Sequence, residues 1–220
     1  MNAMPFTLDE FFGVFARYNE AIWPTQVLAY LAAAVAVGLL RATSPWQARI
    51  ITGILAAMWA INGVGYHWTF FADANDAAWV FGAAFLVQAI ALAGSTYLFP
   101  GLRFRIERDA ASILGGLLIA FATVAYPIWG WLAGHVYPAY PAFGVTPCPT
   151  TIFTVGMLLL GTWSVARWLL ILPVLWAGVG GSAAVLLDVP QDYGLIAALL
   201  IVLAVVVGRG FNRSEVRNVR

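Results

Sequence analysis

The chain contains two histidines, His67 and His135, and one cysteine, Cys148. Two imidazoles and a thiolate suit copper, zinc or another thiophilic metal. Three such ligands with a fourth position open would also describe a catalytic zinc. Cys148 stands between Pro147 and Pro149 in the run GVTPCPTTIFTVG, residues 144–156. Pro149 fits the first position of a helix, where its missing N–H would be unpaired anyway. Cys148 is then expected at or beside the helix cap, where the dipole favours a thiolate. A Cys-Pro pair also suits thiolate ligation of haem iron, which ranks behind copper and zinc here. Tyr66, Asp73, Asp76, Tyr137 and Tyr140 lie close enough in sequence to support the three ligands by hydrogen bonds.

A plainer reading competes with this one. A lone cysteine is often a small buried hydrophobe. The histidines could be interfacial anchors, like the tyrosines around them. The stretch VYPAYPAFGVTPCP, residues 136–149, could be a rigid outer loop whose prolines set extended turns. No other catalytic signature is present. There is no His-Glu-x-x-His, no second cysteine, no glycine-rich phosphate loop and no informative serine–histidine–acid spacing.

Composition fixes where these residues must be held. Hydrophobic residues make up 62% of the 220 and charged residues 10%, whereas a soluble domain carries about 25% charge. Mean hydropathy is +0.86. Too few polar groups exist to cover a surface in water, so the bilayer is the expected partner. The net charge of +1 offers no basic field for nucleic acid. All eleven basic residues are arginine. Without a lysine the chain has no amine for a retinal Schiff base. The acidic start, with Asp9, Glu10 and Glu20 against Arg17, does not read as a cleavable signal.

A hydrocarbon core of about 30 Å calls for ~20 apolar residues of helix. Seven stretches qualify or nearly so: 23–40, 46–67, 77–99, 110–134, 149–163, 168–187 and 193–208. The fold class is therefore all-α, a polytopic membrane bundle of seven transmembrane helices. Six spans with a re-entrant fifth stretch is the rival. Pro127 and Pro173 are expected to kink their spans. Arg41 and Arg49 follow the first stretch, Arg103, Arg105 and Arg108 the third, and Arg167 the fifth. Arg209, Arg213, Arg217 and Arg220 follow the last. Alternation then places ten of eleven arginines on one side, with Arg17 opposite among Asp73, Asp76, Asp188 and Asp192. The positive-inside rule puts the N-terminus outside and the C-terminus in the cytoplasm. Trp23, Trp46, Trp68, Trp79, Trp163 and Trp168 fall at span ends as interfacial anchors, and Trp59 and Trp176 fall deeper.

Residues 1–22 precede the spans. Thr7 and Glu10 have capping-box spacing, and Leu8, Phe11, Phe12 and Phe15 share one face of the helix that follows. This is an amphipathic interfacial helix on the outer surface or a lid packed on the bundle. Residues 23–208 form one transmembrane domain, with no internal repeat, and 209–220 a basic cytoplasmic tail. No acid or arginine falls near the centre of a span, which argues against a proton pump built on a buried carboxylate. Asn62 and Gln88 are expected to bond across neighbouring helices, and Gly178, Gly180 and Gly181 with Ser182 to allow close helix approach.

The runs PFTLDEFFGVFARYNEAIWP, NGVGYHWTFFA, PAFGVTPCPTTIFTVG and GGSAAVLLDVPQDYGL resemble a family of bacterial membrane proteins, the domain of unknown function 6064. The run Thr146–Thr151 is the most specific part. The resemblance implies a multi-pass protein of the bacterial inner membrane and supplies no reaction.

On the residues themselves, His67, His135 and Cys148 all fall at the outer end of the bundle. The expected function is binding of a thiophilic metal or small ligand there, for transport or sensing. A zinc hydrolase-like membrane enzyme is the first alternative. The second is a structural subunit whose tyrosine- and proline-rich loop docks a membrane partner or a second copy of the chain.

Overall fold

The computed structural model describes residues 6–218 apart from 43 and 45, with side chains described as far as Arg209. The side chains of Arg213 and Arg217, and all of Arg220, lie outside the described residues. Ten α-helices carry the chain: α1 Leu8–Ala21, α2 Thr25–Gly38, α3 Gln47–Ile61, α4 Ala78–Leu98, α5 Ala110–Ala120, α6 Tyr126–Leu132, α7 Pro147–Leu159, α8 Trp163–Leu169, α9 Ile171–Leu187 and α10 Tyr193–Asn218. No strand forms among the described residues; Phe104 and Gly161 make an isolated bridge.

Local chemistry sets several boundaries. The capping box forms as its spacing predicts: Glu10 N–H donates to Thr7 Oγ1 at 3.2 Å, and Thr7 N–H donates to Glu10 Oε2 at 2.7 Å. Asp109 opens α5 by accepting from the Ser112 N–H at 2.8 Å. Two π-helical stretches widen the turn, Asn62–Phe70 after α3 and Phe121–Ala125 before α6. The second precedes Pro127 and absorbs its missing donor, so Ala110–Leu132 remains one continuous helix. Pro173 sits just past a 42° bend between α8 and α9.

Every expected apolar stretch is helical, but fewer than seven are long and apolar enough to cross a membrane as single helices. Four helices are long and apolar enough to cross a membrane: Gln47–Asp73, Ala78–Leu98, Ala110–Leu132 and Pro190–Arg209. The number rises to six if the bent pairs Leu8–Ala21 with Thr25–Arg41 and Trp163–Leu169 with Ile171–Leu187 are one span each. The remaining stretch, α7, has 13 residues, which at 1.5 Å per residue is about 20 Å of helix. Its composition matches a span because it is the centre of the bundle. Residues 141–160 are buried without interruption, and α7 packs on α3, α5, α9 and α10.

A threonine row along α7 satisfies three of its buried hydroxyls, while the Thr151 hydroxyl is buried with no hydrogen-bond partner among the described residues. Thr146, Thr150 and Thr154 Oγ1 donate to the carbonyls of Ala142, Thr146 and Thr150, at 2.8, 2.7 and 2.8 Å. Helix α3 and its extension reach the same row: Trp59 Nε1 donates to Thr154 Oγ1 at 2.9 Å and Asn62 Nδ2 to Thr150 Oγ1 at 3.3 Å. Gln88 Nε2 likewise donates across helices to the Leu169 carbonyl at 2.8 Å, so both amides have the interhelical partners expected of them. On the other flank, a Cβ built on Gly115 would lie 2.7 Å from the Gly156 carbonyl, and one on Gly156 2.8 Å from the Gly115 carbonyl. Only glycine at both positions permits that approach of α5 to α7.

The arginine-bearing connections meet at one end of the bundle. Gln47 Nε2 donates to the Phe104 carbonyl at 2.8 Å, Arg105 N–H to the Leu160 carbonyl at 2.9 Å, and Thr162 N–H to the Arg103 carbonyl at 2.9 Å. Arg209 reaches Asp109 at 3.3 Å there. Helices α3, α7 and α10 each have their other terminus at the far end, under α1. Helix α1 buries Phe11, Val14, Phe15, Tyr18 and Asn19 against the bundle, so its apolar face covers protein. Asn19 Nδ2 anchors it by donating to the carbonyls of Pro138 and Tyr140 at 2.8 and 2.7 Å.

Candidate functional site

Beneath α1 lies a cavity of about 350 Å³. Phe6, Phe11 and Phe15 form its roof, Tyr66, Phe71 and Phe81 one wall, and Trp176, Ala183, Ala184 and Leu187 of α9 another. Cys148 and Asp192 supply its buried polar groups. The size and the apolar lining with a few polar groups are those of a small-molecule pocket.

Each wall follows from local folding. The capping box starts α1 so that Phe11 and Phe15, one turn apart, face inward. The π stretch turns Tyr66 and His67, adjacent in sequence, both into the interior. Tyr66 is sandwiched between Phe15 and Phe71, at 5.3 and 5.5 Å between ring centroids and within 20° of parallel. Asp188 ends α9 in a left-handed conformation, φ 53°, which an aspartate tolerates. The chain then runs through the 3-10 turn Pro190–Asp192 into α10. That turn buries Gln191 and Asp192. Asp192 accepts a hydrogen bond from the Tyr126 hydroxyl of α6. Three helix starts, those of α6, α7 and α10, thus bring Tyr126, Cys148 and Asp192 together.

The three expected metal ligands do not converge. Among the described residues no group of three His, Cys, Asp or Glu side chains could hold a metal ion. His67 is enclosed by rings, with Phe85, Trp176 and Phe81 at 4.8, 5.2 and 5.8 Å. Both its nitrogens are buried with no hydrogen-bond partner among the described residues. His135 lies elsewhere, stacked on Phe12 at 4.2 Å, with Nδ1 accepting from Gln191 Nε2 at 2.9 Å. Cys148 instead has the carboxyl of Asp192 as its neighbour in the cavity. Sharing one end of the bundle fixes depth only and does not bring side chains together laterally.

The local expectation for Cys148 also shifts by two residues. Thr146 is the N-cap, Pro147 the first helical residue and Pro149 the third. Both prolines fit because no N–H of the first turn has a partner within the helix. The thiol therefore points from the first turn itself, and it is buried.

Of the five supporting residues expected, Tyr66 alone lines the cavity. Asp73 and Asp76 are exposed, Tyr137 is 54% exposed, and Tyr140 contributes its carbonyl to Asn19. The residues missed are Asp192, Tyr126 and Gln191. Asp192 reads as a connection residue because an acid before an apolar run is what a helix start requires. The available signal was its position within DVPQDYGL, where a proline turn rather than a polar linker precedes the helix.

The chain is thus an all-helical bundle, several of its helices long and apolar enough to cross a membrane, with an aromatic-walled cavity at the end away from the arginine-bearing connections. The model of the domain of unknown function 6064, a family of unknown function, matches residues 8–217, and the chain belongs to that family. No curated protein and no solved structure matches it.

Proposed function

We propose that this is a multi-pass membrane protein that binds a small, largely apolar organic ligand in the cavity beneath α1, for transport or sensing. The observation that carries the reading is the cavity itself: about 350 Å³, roofed by three phenylalanines, with Cys148 and Asp192 as buried polar groups. An organic ligand suits this lining better than a metal, because His135 is engaged by Gln191 and His67 by aromatic rings.

The cavity faces the extracytoplasmic side and the C-terminus the cytoplasm. The arginine asymmetry supports this, since the connections carrying Arg41, Arg49, Arg103, Arg105, Arg108 and Arg167 and the tail all belong to one side. Seven passes follow, the fifth made by α7 together with its buried approach. In this frame the bacterial inner membrane is the host bilayer.

Binding of a neutral fluorescent apolar probe, N-phenylnaphthylamine, to protein in lipid nanodiscs tests the reading. Saturable binding beyond that of empty nanodiscs is expected, and the substitution Ala183→Phe, which fills the cavity, should abolish it. Uptake indistinguishable from empty nanodiscs, or unchanged by Ala183→Phe in a folded variant, would refute it.

A further inference from the structure

We propose that the cavity takes a hydrophobic organic cation, an aromatic or quaternary amine whose charge pairs with Asp192. This rests on the cavity being a ligand site and adds the chemical class. Asp192 is 2% exposed and lines the cavity. The groups around its carboxyl are the Tyr126 hydroxyl and the Cys148 thiol, with Tyr66 near by. None is a base. No arginine lines the cavity, and the chain has no lysine. Among the described residues the one ion pair is Arg209 with Asp109, at the far end of the bundle.

A carboxylate enclosed by low-dielectric walls needs an opposite charge or strong donors. Tyr126 and Cys148 provide donors and the N-terminal end of α10 a favourable dipole, but none provides a counter-charge. The walls supply what a cation would meet next: the aromatic rings of Phe11, Phe15, Phe81 and Trp176. Ring faces attract ammonium groups, most strongly when water is excluded. An anionic ligand would meet repulsion from Asp192 and find no basic group.

The experiment compares phenyltrimethylammonium with its neutral isostere, tert-butylbenzene, as competitors of N-phenylnaphthylamine in nanodiscs holding wild-type protein or Asp192→Asn. Each affinity is referred to the competitor's concentration measured in the lipid of empty nanodiscs, which removes the different partition of the two compounds. In wild type the cation is expected to bind more tightly, and Asp192→Asn should lower that ratio roughly tenfold or more, as loss of a buried charge partner does. Equal competition by both compounds in wild type would overturn the cation assignment and leave the cavity reading standing. A ratio unmoved by Asp192→Asn would overturn the role of Asp192. Failure of both compounds to compete with a bound probe also rejects this proposal, whereas absence of probe binding rejects the cavity reading as well. If Asp192→Asn does not fold, the wild-type ratio alone decides.

Discussion

Gln191 Nε2 donates to His135 Nδ1 at 2.9 Å, and the same imidazole stacks on Phe12 of α1 at 4.2 Å. Through these two contacts the lid helix is fastened to the turn that presents Asp192. His135 thereby links roof and floor as a latch.

His135→Ala removes both contacts. A lost hydrogen bond of about 1 kcal/mol corresponds to a roughly fivefold larger open population. Cys148, buried beneath the lid, should then be alkylated by N-ethylmaleimide about fivefold faster, and amide exchange in α1 should rise with it. An unchanged alkylation rate would show that α1 does not control access to the cavity.

The lid should also loosen in acid. Glu10 accepts from the Thr7 backbone and hydroxyl, and these bonds hold its carboxyl below the ordinary value of 4.5. A depressed carboxyl contributes stability that is present above 4.5 and is lost as pH falls through the lower folded-state value. Amide exchange at the N-terminal turn of α1, corrected for its intrinsic pH dependence, should increase below that point. In Glu10→Gln the acid-dependent step should vanish.

Adjacent glycines of α5 should respond in opposite ways to alanine. At Gly115 the new methyl would lie 2.7 Å from the Gly156 carbonyl, and at Gly116 nothing lies within 4 Å. Gly115→Ala should destabilise by about 1–3 kcal/mol through overpacking. Gly116→Ala should be neutral or stabilising by up to about 1 kcal/mol, through reduced backbone entropy. Thermal unfolding in detergent reads the difference.

Topology can be read with the native thiol removed. In a Cys148→Ser background, a cysteine at Asp76 should react with a membrane-impermeant maleimide in intact cells, and one at Arg105 only after permeabilisation. Both positions are exposed. The reverse pattern would invert the proposed orientation.

Much of the scaffold was legible because its signals are local. Thr7 and Glu10 are three residues apart, and the apolar stretches announce themselves by composition. The interhelical roles of Asn62 and Gln88 followed from their isolation among apolar neighbours. The site was less legible because its contacts are tertiary. Tyr126 and Asp192 are 66 residues apart, and nothing in either segment alone marks them as partners. Composition also could not tell α7, which is surrounded by protein, from a helix surrounded by lipid, since both environments select the same side chains. The histidines were linked by depth, a coordinate that sequence provides, whereas their lateral separation depends on how the π stretch and the Gln191 turn pack.

The uninterrupted burial of residues 141–160 bears on how the protein is made. A 13-residue helix enclosed by protein on every side is too short to serve an insertion machinery as a self-sufficient spanning segment. Its place exists only once α3 and α5, made before it, and α9 and α10, made after it, have closed around it. Biogenesis must therefore hold the middle of the polypeptide in waiting until its C-terminal third has been synthesised.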